Sequence, residues 1–298
     1  TPNHRPSRER GFDIAAWDDD EESARQIAEI EAGYAARALD DARGAPELRG
    51  PVAGFVRHVA MGDVDVLPEF SPGCDCARTR EAMVGLPFMV GTREGAGPLG
   101  PLRRPILAWM AARRRKALRL VGKGDPKTVA QVDPMVSLLD LARGIEGRFL
   151  GLLPCAQAGW AAPVDPGSAW MHAAHRAGGM ANRPWASTVV PAQLVQLGSL
   201  LLAGVPGEPT TQAGRRLRAV LQDAARPRDV TDVVVLGYAN AYTSYVTTHE
   251  EYLCQQYEGG STIFGPWTLG AWCTVLRGMA TEPWPTSAAV PGPSPILA

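Results

Sequence analysis

The apolar positions of the chain follow two kinds of spacing. Ile27, Ile30, Tyr34, Ala38 and Leu39 recur at three- and four-residue steps, which predicts a helix over 20–40. The acidic run Asp18–Glu22 stands at its start, where negative side chains suit the helix macrodipole; a solvated helix start explains it without a metal. Val52–Leu67 reads as β-structure, because Val64 and Val66 alternate with Asp63 and Asp65. Gln193–Val205 reads as one buried strand ending in the turn Pro206-Gly207. Helical spacing returns over Thr210–Gln222, with Leu217, Val220 and Leu221 on one side and Arg215, Arg216 and Arg218 elsewhere. Asp232–Gly237 is a second apolar strand and Glu250–Gln256 a short helix. Ile106–Leu120 predicts a further helix with Arg113, Arg114, Arg115, Lys116 and Arg119 on a solvated face. Strands interleaved with helices make this an α/β chain: mixed β-sheets flanked by helices from 20–40, 106–120 and 210–222.

Composition narrows the function classes. The 30 basic residues nearly cancel the 31 acidic ones, so there is no global field to recruit nucleic acid, and no aromatic residues interleave with the basic run. At 45% hydrophobic and 20% charged the chain can bury a core. No apolar run approaches the roughly 18 residues of a membrane span; the longest, near Leu200–Val205, is strand-sized. With 32 glycines and 26 prolines among 298 residues, long ordered loops are expected. Five cysteines cannot all pair within the chain, and Cys74-x-Cys76 reads as two turn cysteines. The glycines of 91–100 lack the Gly-Lys-Ser/Thr ending of a phosphate loop. The length fits one large domain or two small ones; the expected division is a domain over 1–282 followed by a Pro-rich tail over 283–298. No internal repeat is visible.

Two strand-to-loop junctions stand out chemically. In Val205-Pro206-Gly207-Glu208-Pro209-Thr210-Thr211 a carboxylate follows an apolar strand and precedes a helix. Spacing alone favours a capping role, with rigid support for a functional site as the alternative. The second junction runs from Gly237 to Thr262 and carries Tyr238, Tyr242, Tyr245, Tyr252 and Tyr257 among small polar residues. Phenols lining a wet pocket can donate protons, bind an oxyanion or ligate a metal; a turn packed by its own rings is an equal reading. His4, His58, His172, His175 and His249 are scattered, so the chain offers no complete zinc site and no Ser-His-Asp set. His249, beside Glu250 and Glu251, reads as a helix-start residue.

The strings VPGEPTTQAGRRLR (205–218) and GYANAYTSYVTTHEEYLCQQYEGGSTIFGPWTLGAW (237–272) resemble the neutral (non-lysosomal) ceramidase family, and weaker similarity extends back through 50–97, including GPVAGFVRHVAMGDVDV. The resemblance implies a zinc-dependent amidase that cleaves the N-acyl bond of ceramide. By motif position Glu208 matches the glutamate zinc ligand and Tyr245 the tyrosine ligand. Tyr257 matches a second tyrosine at the reaction site, and Asn240 and Tyr242 fall where substrate is met. The two histidine ligands that complete the Zn2+ site would lie on a separate upstream chain.

The same resemblance gives meaning to Thr1-Pro2-Asn3, which matches the end of the family's Gly-Asp-Val-Ser-Pro-Asn motif. Thr1 then stands in the place of the essential serine, with Asn3 positioning it. A free amine beside that hydroxyl is the N-terminal-nucleophile arrangement. The expectation is a self-cleaved, two-chain amidase, a heterodimer in which this chain depends on its upstream partner to fold; a boundary set by other trimming is the alternative. Pro209 replaces the family's usual aromatic, and Thr replaces Ser, which opens the substrate beyond ceramide. Two other functions compete with hydrolysis of an N-acyl amide: an acyltransferase or amide-forming enzyme of small-molecule biosynthesis at the same site, and a non-catalytic scaffold that keeps the fold. Trp160, Trp170 and Trp185 line either an apolar substrate cleft or the core. The sequence does not choose between a secreted and a cytoplasmic location.

Overall fold

The computed structural model describes residues 20–74, 76–92, 135–143 and 184–284, together with Asp133, two short strands at 148–149 and 153–154, and isolated positions at 105, 109, 112, 173, 177 and 178. Thr1 and Asn3, His172 and His175, Trp160 and Trp170, the tail beyond 284, and the basic helix of 106–120 apart from Trp109 and Ala112 lie outside the described residues. The chain divides into two compact units, Thr1–Arg49 and Gly50–Ala298.

In the first unit the expected helix is present as α1 (Asp20–Ala42). Arg25 bridges Glu22 and Glu29, one turn to either side.

The second unit is built on a four-stranded sheet. Its strands are β1 (Val52–Ala60), β6 (Val189–Leu197), β7 (Leu200–Gly204) and β9 (Asp232–Leu236), in the order β1-β6-β7-β9. The first three are antiparallel neighbours, whereas β9 runs parallel to β7. The sequence expectation of one long strand over Gln193–Val205 is corrected: the segment folds back on itself as a hairpin. Gly198 adopts φ 59 and, with Ser199, makes a two-residue turn that pairs Leu197 with Leu200. The apolar residues on both sides conceal such a turn, because only Gly198-Ser199 marks it. The strand expected through Leu67 likewise ends at Ala60, and Met61–Asp63 forms a single 3-10 turn. The alternation beyond it is nevertheless used: Val66 is buried while Asp63 and Asp65 both pair with Arg78.

One face of the sheet is covered by two helices, α3 (Thr211–Ala224) and α6 (Thr268–Thr281). Along α3, Ala213, Leu217, Leu221 and Ala224 recur at three- and four-residue steps and are buried. Thr210 caps its N-terminus by accepting from the Ala213 amide. Helix α6 is apolar on most of its circumference, and Trp272, Leu276 and Met279 are fully buried against Leu194, Leu201 and Ala203 of the sheet. Buried Gln196 is satisfied by donating to the carbonyls of Gly198 and Arg228.

A second, smaller sheet has the order β2-β3-β4-β5, formed by Met83–Gly85, Ser137–Asp140, Arg148–Phe149 and Leu153–Pro154. The one-turn helix α2 (Pro87–Val90) follows β2. A two-stranded parallel ribbon joins β8 (Glu208–Pro209) to β10 (Tyr245–Val246). Two short helices follow it, α4 (His249–Leu253) and α5 (Tyr257–Gly260). The architecture is thus mixed sheets with flanking helices, as the alternation of elements predicts. Among the described residues no helix is long and apolar enough to cross a membrane.

Candidate active site

The parallel ribbon is short, but its register decides the site. Glu208 pairs with Tyr245 and Pro209 with Val246, so the carboxylate and the phenol expected to bind metal stand side by side. The amide of Glu208 donates to Ser244 O at 2.8 Å and the amide of Thr210 to Val246 O at 3.0 Å. Such close backbone approach requires Gly207. A Cβ there would lie 2.8 Å from Ser244 O and 3.0 Å from Thr243 Oγ1, both inside contact distance. The capping role that spacing favoured for Glu208 belongs instead to the Thr210 hydroxyl. Glu208 itself is buried, at 7% exposure, and its Oε1 accepts a hydrogen bond from the Tyr242 hydroxyl at 2.5 Å. A buried carboxylate needs such donors, because its charge has left water.

The loop that delivers these phenols is strained. Tyr238, Asn240 and Ser244 all have φ near +60, a region unfavourable to residues with a Cβ. It is held from outside: Asn240 Nδ2 donates to Gln193 Oε1 at 2.6 Å, and the amide and hydroxyl of Thr243 both donate to Pro206 O, at 2.7 and 2.6 Å. The rings of Tyr238 and Tyr242 stack, 6.0 Å apart and nearly parallel. Tyr257, on α5, meets Tyr245 edge to face at 5.9 Å and stacks on Phe88 of α2 at 5.5 Å. Burial, followed by the charges of Glu208 and Glu258, raises the pKa of the Tyr257 phenol. Burial and the bond to Glu208 do the same for Tyr242.

Four of the five tyrosines therefore gather here, and the fifth does not. Tyr252 is fully buried, donates to Asp133 at 2.8 Å, and accepts from Arg80 Nη2 at 3.1 Å. Burial holds its phenol protonated. His249 begins α4, as expected, and stacks on Trp267 at 4.1 Å; burial lowers its pKa. Glu251 completes a capping box with Thr248 and also accepts from the Thr210 hydroxyl at 2.7 Å. One carboxylate thereby ties the start of α4 to the start of α3, just downstream of both strands of the ribbon.

A cleft of about 270 Å³ adjoins the site, walled by Val84, Phe88, Leu141, Trp185, Tyr242 and Ile263 among others. Phe88, Leu141 and Gln193 carry no local signal in the sequence; they reach the site through packing of the small sheet and of β6. Glu208 and Tyr245 suit zinc as one carboxylate and one phenol donor. Together they would supply two of the four donors of a tetrahedral site; among the described residues no group of three His, Cys, Asp or Glu gathers to hold a metal.

Comparison with known proteins points to one family. The family described as neutral/alkaline non-lysosomal ceramidase, N-terminal, matches residues 173–274. The neutral ceramidase of Pseudomonas aeruginosa is 48% identical over 113 residues, covering 36% of this chain and 17% of the relative. That of Mycobacterium tuberculosis is 33% identical over 239 residues, covering 80% of this chain and 30% of the relative. The chain thus spans less than a third of the length of either. Among solved structures, a ceramidase complexed with C2 superposes with a TM-score of 0.57 at 30% identity, covering 91% of this chain and 36% of that one. The crystal structure of the Pseudomonas aeruginosa neutral ceramidase gives 0.55 at 28% identity, with 93% and 36% covered. Family model, relatives and fold agree, and the chain belongs to the neutral ceramidase family.

Proposed function

We propose that this chain carries part of the active site of a zinc-dependent amidase that hydrolyses the N-acyl bond of ceramide or a close relative. The observation that carries the reading is the β8–β10 register, which sets Glu208 beside Tyr245 with Tyr257 against the same ring. Zinc held by Glu208, Tyr245 and two histidines of an upstream polypeptide would supply a Lewis acid for the amide carbonyl or a bound water of lowered pKa. The residues of this chain do the rest. Tyr257, kept protonated by its surroundings, donates a hydrogen bond to the carbonyl oxygen as that oxygen gains charge. The apolar walls of the adjoining cleft suit a hydrocarbon chain. Thr1, by its motif, is the nucleophile: its hydroxyl oxygen bonds to the carbonyl carbon, the C–N bond breaks, and the amine leaves with a proton. Water then hydrolyses the ester and releases the fatty acid.

The complete enzyme is expected to release fatty acid from an N-acylsphingosine, to lose that activity to a chelator and to regain it with zinc. Unchanged hydrolysis by protein free of metal sinks the zinc reading, and an acyl group trapped on Thr1 establishes the covalent route. Tyr257→Phe is expected to lower kcat by roughly 10²–10³-fold at unchanged zinc content. Because the pKa of Tyr257 is raised, its donor form persists through neutral pH and is lost only above the ordinary tyrosine value. An alkaline limb of kcat should lie there in the wild type and be missing in Tyr257→Phe; a limb that survives the substitution assigns it to another group.

A further inference from the structure

We infer that Tyr242 is a positioning residue for Glu208: its hydroxyl pins one carboxylate oxygen and so fixes the direction in which the other meets a cation. The inference rests on the zinc reading above and adds to it a residue that holds the ligand without being one. Tyr242 is 54% exposed, so it is not a core residue placed by packing alone. What its position secures is the 2.5 Å bond to Glu208 Oε1.

The chain goes to some length to make that bond. Three non-glycine residues in the seven from Tyr238 to Ser244 occupy the left-handed region, which persists only where surrounding contacts enforce it. The enforcing contacts lead back to the turn that carries Glu208. Tyr238 N donates to Gly207 O at 2.9 Å, Ala239 N to Val205 O at 3.1 Å, and Thr243 donates twice to Pro206 O. Loop and carboxylate are therefore one rigid piece, and the parallel ring of Tyr238 fixes the plane of the Tyr242 phenol. A carboxylate with one oxygen held offers a cation a single defined donor direction, which is how outer partners tune a metal ligand.

The test uses the complete enzyme with cobalt(II) in place of zinc. Its readouts are the dissociation constant from chelator competition and the visible absorption of the bound ion. Tyr242→Phe keeps the ring stack and removes only the hydroxyl. It is expected to weaken binding about 10–100-fold and to change the spectrum. Gln193→Ala, which releases Asn240 and loosens the same loop without touching either side chain, should shift both readouts in the same direction by less. If both variants hold cobalt within twofold of wild type with an unchanged spectrum, Tyr242 does not position the ligand. Glu208→Gln separates the two failures. Loss of metal there with none in Tyr242→Phe overturns the role of Tyr242 alone, whereas retention of metal in Glu208→Gln overturns the zinc reading and this inference together.

Discussion

Glu208→Gln is expected to leave the fold standing and to lower kcat/KM by about three orders of magnitude or more. Glutamine matches the buried carboxylate in shape and still accepts from the Tyr242 hydroxyl, so the β8–β10 ribbon has no reason to part. What disappears is the negative charge that, in the zinc reading proposed above, this strand supplies to the cation. Zinc per assembled enzyme should fall with activity. A second readout follows from electrostatics. The charge of Glu208 is, after burial, the largest cause that raises the pKa of Tyr257, so its removal should move the alkaline limb of the profile to lower pH. A variant that keeps its zinc and stays within tenfold of wild-type activity removes Glu208 from the metal site.

Arg80→Ala should be the most destabilising single change in the described core. Arg80 donates through Nε to Asp133 at 2.6 Å, through Nη2 to the Tyr252 hydroxyl at 3.1 Å, and through Nη1 to Ile263 O at 2.7 Å. The side chains of Arg80 and Asp133 are only 24% and 20% exposed. Removing the cation leaves the Asp133 carboxylate largely out of water, with the Tyr252 hydroxyl as its remaining side-chain partner among the described residues. Breaking such a pair from one side costs about 3–5 kcal/mol. At roughly 2–4 °C per kcal/mol for a domain of this size, thermal unfolding should fall on the order of 6–20 °C. Gly265, at φ 94, packs directly on this side chain: a Cβ there would come within 3.1 Å of Arg80 Cγ. Arg80 also steadies the segment whose Ser261 carbonyl receives the amide of Tyr245, so activity should fall with stability. Arg80→Lys keeps the charge without the fork and should lie between. A melting temperature within 2 °C of wild type for Arg80→Ala would mean that the network contributes little.

The two predictions differ in how legible each is in the chain. Glu208 sits in a contiguous string that carries the family resemblance, so the amino-acid order reaches it even though its spacing alone suggests a cap. Arg80, Asp133 and Tyr252 are separated by up to 172 residues, and nothing in their local spacing brings them together. Tyr252 shows the consequence. As one of five tyrosines in a polar stretch it looks like its neighbours, yet α4 turns it inward to a buried ion pair. The Gln193–Val205 segment fails differently. Its apolar run announces burial correctly, but burial on one face is compatible with one long strand or two short ones, and only the positive φ of Gly198 decides. The helix of 210–222 is legible to within two residues at either end, because its cap, its apolar stripe and the following Arg226-Pro227 are all local.

What the sequence determined by itself was local or contiguous. Strand and helix periods follow from which side chains share a face, and the family strings preserve the identities of Glu208, Tyr245 and Tyr257 in order. What only the tertiary structure decided was adjacency. The parallel pairing that sets Glu208 against Tyr245, 37 residues later in the numbering, depends on a crossover through α3 and β9. The reach of Tyr242 to Glu208 depends on three backbone angles that side-chain patterns do not encode. A hydrophobic period records which face is buried, but a hydrogen bond across 34 residues is fixed only when the intervening elements have packed.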